Sequence, residues 1–139
     1  MSRILIVEDH DLSRELLVQL LIERYEVDVA SNGAEALKHV DASPPDLLLL
    51  DLTLPVLDGW SVARRLKTQT STRTIPILAL TAHAMAGDRE SAIEAGCDDY
   101  MAKPIDEERL FALIDFFLRR PRTPASDVAP PASPAPDPR

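Results

Sequence analysis

Short apolar runs alternate along this chain with longer stretches in which apolar residues return every three or four positions. Ile4-Leu5-Ile6-Val7, Leu47-Leu48-Leu49-Leu50 and Ile75-Pro76-Ile77-Leu78-Ala79-Leu80 are continuous and too short for typical helices, the pattern of strands buried on both faces. Pro76 is tolerated near the start of its run, where a missing N–H is absorbed. Val27 and Val29 alternate with Glu26 and Asp28, which predicts a half-exposed edge strand, and Tyr100-Met101-Ala102 predicts a short fifth strand. The segments between carry the helical period. One helix is predicted from Asp11, read as its N-cap with Glu15 in the first turn, to near Tyr25, with Leu12, Leu16, Leu17, Leu20 and Leu21 as its inward stripe. Asn32 with Glu35 reads as a capping box before a second helix that buries Ala36, Leu37 and Val40. Gly59 begins a third, with Val62, Ala63 and Leu66 inward and Arg64, Arg65 and Lys67 on a solvated face. Asp88 caps a fourth through Ala92 and Ile93 that closes at Gly96, where glycine takes left-handed backbone cheaply. The last is capped by Asp106, sets Glu107 and Glu108 against its dipole and buries Leu110, Leu113, Ile114 and Phe117.

Strand and helix thus alternate five times. Units of this length call for parallel strands joined by right-handed crossovers, with helices on both faces. The polar alternation of the second strand and the brevity of the fifth mark these as edges. The expected fold is therefore α/β: a doubly wound, five-stranded parallel sheet of order 2-1-3-4-5 flanked by five helices. Residues 1–120 form this domain. From Pro121 the chain turns to proline, alanine, serine and aspartate with hardly an aliphatic anchor, so residues 121–139 are expected to be a disordered or polyproline-like tail or linker.

The formal charge of -8 belongs to the folded part, because in the tail Arg122 and Arg139 offset Asp127 and Asp137. An acidic surface repels phosphate backbones, which argues against direct nucleic-acid binding and favours cations or basic proteins. Cys97 is the single cysteine, so no intramolecular disulfide is possible. The sequence shows neither a signal peptide nor an apolar run long enough to insert into a bilayer, and the expected location is cytoplasmic.

In the order 2-1-3-4-5, the residues that follow the apolar runs converge on one edge of the sheet: Glu8 and Asp9, Asp51, Thr81 and Lys103. Singly, each is an ordinary cap or solvated side chain. Jointly they place three carboxylates together, whose repulsion a divalent cation or an ammonium relieves. Hard oxygen ligands suit Mg²⁺, completed by a substrate phosphate. Lys103 and the Thr81 hydroxyl are suited to holding phosphoryl oxygens, and Asp51 to accepting the phosphoryl group.

The motifs Ile6-Val7-Glu8-Asp9, Leu50-Asp51-Leu52-Thr53-Leu54-Pro55 through Asp58-Gly59, Leu80-Thr81-Ala82 and Asp99-Tyr100-Met101-Ala102-Lys103-Pro104 occur in order. Over residues 1 to about 120 the chain resembles the receiver domain of two-component response regulators. The run from Ala82 to Asp88, with His83 in it, is most similar to receivers of hybrid kinases, phosphorelays and single-domain regulators. The resemblance implies that Asp51 accepts a phosphoryl group from a histidine kinase or a histidine phosphotransfer protein. It implies Mg²⁺ bound by Asp9, Asp51 and the Thr53 backbone carbonyl, with Glu8 reaching the ion through water. It also implies that Thr81 and Lys103 grip the phosphoryl oxygens, that Tyr100 turns inward when Thr81 moves, and that the bond between Lys103 and Pro104 is cis. The fourth helix, fifth strand and fifth helix would then signal to a downstream protein effector, from a monomer or a phosphorylation-dependent dimer. Such a protein catalyses only its own phosphorylation and dephosphorylation.

Two other classes stand beside this one. A phosphate-independent binding module has no chemical need for all five polar residues. A Mg²⁺-dependent aspartyl-phosphate phosphatase of the dehalogenase type carries an aspartate two positions after the nucleophile, where this chain has Thr53. His83 either overhangs the water that attacks the phosphoryl group, modulating dephosphorylation, or is simply exposed. His10 and His39 are read as surface residues and Cys97 as a small core or loop residue. Phe111 and Phe116 lie off the inward stripe of the last helix, which fits either a partner or dimer surface or packing at the helix flanks.

Overall fold

Ten elements alternate without exception in the computed structural model, which describes residues 2–52, 59–81 and 88–119. They are β1 (Arg3–Val7), α1 (Asp11–Leu21), β2 (Glu26–Ala30), α2 (Gly33–Ala42), β3 (Leu47–Asp51), α3 (Gly59–Thr68), β4 (Ile77–Thr81), α4 (Asp88–Ala95), β5 (Asp99–Ala102) and α5 (Glu107–Arg119). All strand pairings are parallel and the order is β2-β1-β3-β4-β5, as the alternation of patterns predicts. Every residue of β3 is buried, which is why its sequence carries no polar alternation.

Successive strand residues point to opposite faces and so build two cores. Leu5, Val7, Leu48, Leu50, Ile77 and Ala79 pack with Ala36 and Val40 of α2, Val62, Ala63 and Leu66 of α3, and Ala92 and Ala95 of α4. Ile4, Ile6, Leu47, Leu49, Leu78, Leu80 and Met101 pack with Leu17 and Leu21 of α1 and Leu110, Ile114 and Phe117 of α5. Fully burying one such aliphatic side chain contributes about 1.5–3 kcal/mol, so the helices are held by their apolar stripes rather than by propensity.

Several local expectations need correction. The N-cap of α1 is His10, not Asp11: the His10 ring accepts the Ser13 N–H, while the Asp11 carboxylate is taken by Arg14 at 2.6 Å. The helix stops at Leu21, short of Tyr25. Leu12 and Leu16 are 63% and 66% exposed, because at about 100° per residue they turn to the side away from Leu17 and Leu21, which make the contact with the sheet. Val29 is also exposed, lying on the open edge strand. In the α2 cap, Asn32 accepts the Glu35 N–H as expected, but the Glu35 carboxylate returns to the Ser31 N–H, one residue earlier than in a standard capping box. Strand β4 begins at Ile77 rather than Ile75, and β5 one residue earlier than expected, at Asp99. Asp106 does cap α5, accepting the Arg109 N–H. Phe111 lies under the Arg24 guanidinium and Phe116 meets Phe117 edge-on, so both pack at the flanks of α5. His10 is exposed, while His39 is half-buried beside Asp28. Residues 121–139 lie outside the described residues.

Lys67 departs most from expectation. Instead of extending into water, it passes the Cα of Gly96, where a Cβ would strike its stem, and Gly96 takes a φ of 114°. Its ammonium then reaches Arg73 O at 3.0 Å, Ile75 O at 2.9 Å and the buried Asp98 carboxylate at 3.3 Å. Asp98 also accepts the Ile77 N–H at 2.7 Å. The cluster ties α3 to the first residues of β4 and β5. Lys67→Met is expected to lower unfolding free energy by about 2 kcal/mol, because two carbonyls and a buried carboxylate lose one cation. Urea denaturation checks this, and chemistry at the far edge of the sheet should be unchanged. Beside this cluster Cys97 is fully buried, and burial pushes its thiol up to about 12, so it is no nucleophile.

Candidate functional site

Strand register decides which polar residues meet. Val7 lies opposite Leu50, Asp51 opposite Leu80, and Thr81 opposite Ala102, so Glu8 and Asp51 are level, with Thr81 one residue and Lys103 two residues further on, all at the carboxyl ends of four strands. By alternation, Glu8, Asp51 and Lys103 share the face of Ile6, Leu49 and Met101, whereas Thr81 shares that of Ala79 and Tyr100. The register thus separates a charged trio from Thr81 and Tyr100, which share the opposite face.

Within the trio, the Lys103 ammonium lies 2.7 Å from Glu8 Oε1 and 3.7 Å from Asp51 Oδ2. Lys103 is held there by its own N–H, which donates to Thr81 O at 2.8 Å, and its bond to Pro104 is cis. Glu8 is fastened at every polar atom. Its N–H donates to Ala30 O, Oε2 accepts the His10 N–H at 3.1 Å, and its carbonyl accepts from Arg14 at 3.0 Å. Burial pushes the Glu8 carboxyl up, but Lys103, the His10 N–H and the Asp51 side chain outweigh it and hold it below its ordinary 4.5. Glu8 and Asp51 are buried, whereas Asp9 is exposed.

Carboxylate oxygens of Glu8, Asp9 and Asp51 all lie within 4.8 Å of one another. Mg²⁺ holds oxygens at about 2.1 Å, so two ligands stand at most about 4.2 Å apart, and the pocket need draw in by only about half an ångström. Charge agrees with geometry: three carboxylates and one ammonium leave a charge of -2, that of one divalent cation removed. The residues therefore fit Mg²⁺. Thr53 and His83 lie outside the described residues.

Two contributors were not legible as site residues. Gly59, first residue of α3, lies so close to β3 that an added Cβ would fall 2.5 Å from Asp51 O and 2.6 Å from Leu52 Cα. Its N–H donates to Leu52 O at 3.2 Å. Arg14 is the other, and one signal pointed to it: a cation in the first turns of a helix opposes the dipole and needs a local partner.

A parallel doubly wound sheet with an acidic pocket and a lysine at the carboxyl ends of its strands defines a class of α/β signalling domain. The profile of the response regulator receiver domain matches residues 4–115. The chain belongs to that family, and is a receiver domain of two-component systems. It is 41% identical over 119 residues to the response regulator PleD of Caulobacter vibrioides, an alignment covering 85% of this chain and 26% of PleD. It is 39% identical over 116 residues to the polar-differentiation response regulator DivK of Brucella anthropi, covering 83% of this chain and 94% of DivK. Of the other first-matched regulators the chain spans about half the length. Among solved structures it is similar to the receiver domain of the sensor histidine kinase PA1611 from Pseudomonas aeruginosa, with a TM-score of 0.78 and 36% identity over 84% of this chain and 97% of that one. That structure holds a magnesium ion in its active-site cleft. Among the described residues, no helix is long and apolar enough to cross a membrane.

Proposed function

We propose that Asp51 accepts a phosphoryl group from a phosphohistidine of a histidine kinase or histidine phosphotransfer protein. The observation that carries this is the Lys103 ammonium, 3.7 Å from Asp51 Oδ2 and bonded to Glu8, in a pocket whose carboxylates match a divalent cation. Asp9 and Asp51 would hold Mg²⁺, with Glu8 reaching it through water and the Thr53 carbonyl as a further ligand. When bound, the ion offsets charge on the transferring group. Lys103 turns from Glu8 toward the incoming oxygens, and Glu8 keeps its His10 N–H bond as it does so. The Thr81 hydroxyl takes a second phosphoryl oxygen.

The output follows from the face Thr81 occupies. It shares that face with Tyr100, whose ring is half-buried against the core under α3 and α4 and whose hydroxyl is shielded from solvent. Movement of Thr81 toward the phosphoryl group opens space that Tyr100 fills, and the α4–β5–α5 surface changes for a downstream protein effector. Outside esters are not turned over, the setting is cytoplasmic, and the protein is a monomer or dimerises on phosphorylation. The domain boundary falls near residue 120, where α5 has ended and proline begins to dominate.

Intact mass after incubation with Mg²⁺ and acetyl phosphate tests the proposal. One added phosphoryl group is expected, absent from Asp51→Asn and from samples in chelator. An adduct that persists in Asp51→Asn would refute it.

A further inference from the structure

We infer that Arg14 is a positioning residue for the cation pocket, acting on Asp9 through the peptide between Glu8 and Asp9; this rests on the proposed Mg²⁺ role of that pocket. Arg14 sits in the first turns of α1, yet its side chain folds back past the helix N-terminus and is only 22% exposed. One arm of the guanidinium donates to the Glu8 carbonyl at 3.0 Å, and the other meets Asp11 Oδ1 at 2.6 Å. The peptide is planar, so holding that carbonyl fixes the N–H of Asp9 and the direction in which its Cα leaves. Asp9 needs such help. Its carboxylate is exposed and, among the described residues, makes no hydrogen bond, whereas both carboxylate oxygens of Glu8 are already held. Arg14 thus holds the peptide that enters Asp9, while the peptide that leaves it is held by the His10 N–H bond to Glu8 Oε2.

Electrostatics alone predicts the opposite sign. A cation near the pocket opposes Mg²⁺, so deleting its charge should tighten binding, while losing the fork should weaken it. Arg14→Lys separates the two, since it keeps the charge and loses the planar fork. Mg²⁺ binding to the full chain without phosphodonor is measured by calorimetry, beside thermal unfolding in chelator. Arg14→Lys is expected to weaken Mg²⁺ about tenfold. With acetyl phosphate, the Mg²⁺ concentration for half-maximal labelling should rise by the same factor while the rate at saturating Mg²⁺ stays near that of the wild type. Unchanged or tighter Mg²⁺ binding by folded Arg14→Lys would overturn the inference. Should that variant not fold, Arg14→Met, for which the lost charge alone predicts tighter Mg²⁺, is read instead: several-fold weaker Mg²⁺ supports the inference and unchanged or tighter binding refutes it. Wild type that binds Mg²⁺ but is never labelled would refute the phosphoacceptor role while leaving the titration to decide on Arg14.

Discussion

Lys103→Met is expected to slow Mg²⁺-dependent phosphorylation of Asp51 by about 10²-fold or more, the usual loss when a preorganised donor to developing negative charge is removed. It should also weaken the pH dependence of stability that Glu8 gives in chelator. In the wild type, burial pushes Glu8 up, but Lys103, the His10 N–H and Asp51 outweigh it and keep the folded carboxyl below 4.5. Glu8 therefore adds stability above about pH 4.5, and that stability is lost as pH falls through the lowered value. Without the ammonium, both the hydrogen bond and the attraction from Lys103 are gone, and the folded carboxyl moves up. The native state then holds its proton to higher pH, so the stability that Glu8 adds toward neutrality shrinks. The variant should lie closest to the wild type in acid and trail it by about 2 kcal/mol at pH 7. That is below the ~3–5 kcal/mol of a fully buried pair, because the Lys103 side chain is 22% exposed. Thermal unfolding from pH 4 to pH 8 reads this directly. A deficit independent of pH would show that Lys103 does not compensate Glu8.

Gly59→Ala should be the most damaging small substitution in the fold. Its new carbon would lie 2.5 Å from Asp51 O and 2.6 Å from Leu52 Cα, both backbone atoms that no rotamer change can move aside. Either α3 backs away from the sheet or the end of β3 shifts. Overpacking of this kind costs about 1–3 kcal/mol, and an ångström of displacement at a nucleophile costs about 10²-fold in rate. Gly96→Ala is the internal control. Its carbon would meet the flexible stem of Lys67, and its φ of 114° strains any L side chain. Stability should therefore fall by about 1 kcal/mol while labelling of Asp51 proceeds at the wild-type rate. Equal rates for Gly59→Ala and the wild type would show that the α3 contact does not set the position of Asp51.

Much of this was legible in the chain. Four adjacent leucines ending in Asp51 announce a strand buried on both faces with a carboxylate at its carboxyl end, and the same logic finds Glu8, Thr81 and Lys103. The misreadings share one cause. Spacings of three to five make Leu12 and Leu16 look like one stripe with Leu17 and Leu21, but the stripe is wider than the sheet contact and those two lie on the side turned away from it. Residue type misled similarly at Lys67, which looks like surface until Gly96 and Asp98, distant in sequence, open a channel and supply a counter-charge.

Local sequence by itself determined the alternation of elements, the strand order and the presence of a carboxylate-rich edge, because hydrophobic period and crossover handedness are short-range properties. Tertiary structure alone decided that the Lys103 ammonium sits between Glu8 and Asp51, that Gly59 rests on the backbone of the candidate nucleophile, and that Arg14 turns back to the Glu8 carbonyl. Those facts depend on sheet register and on side-chain direction at distances of a few ångströms, which no pattern along one strand or helix encodes.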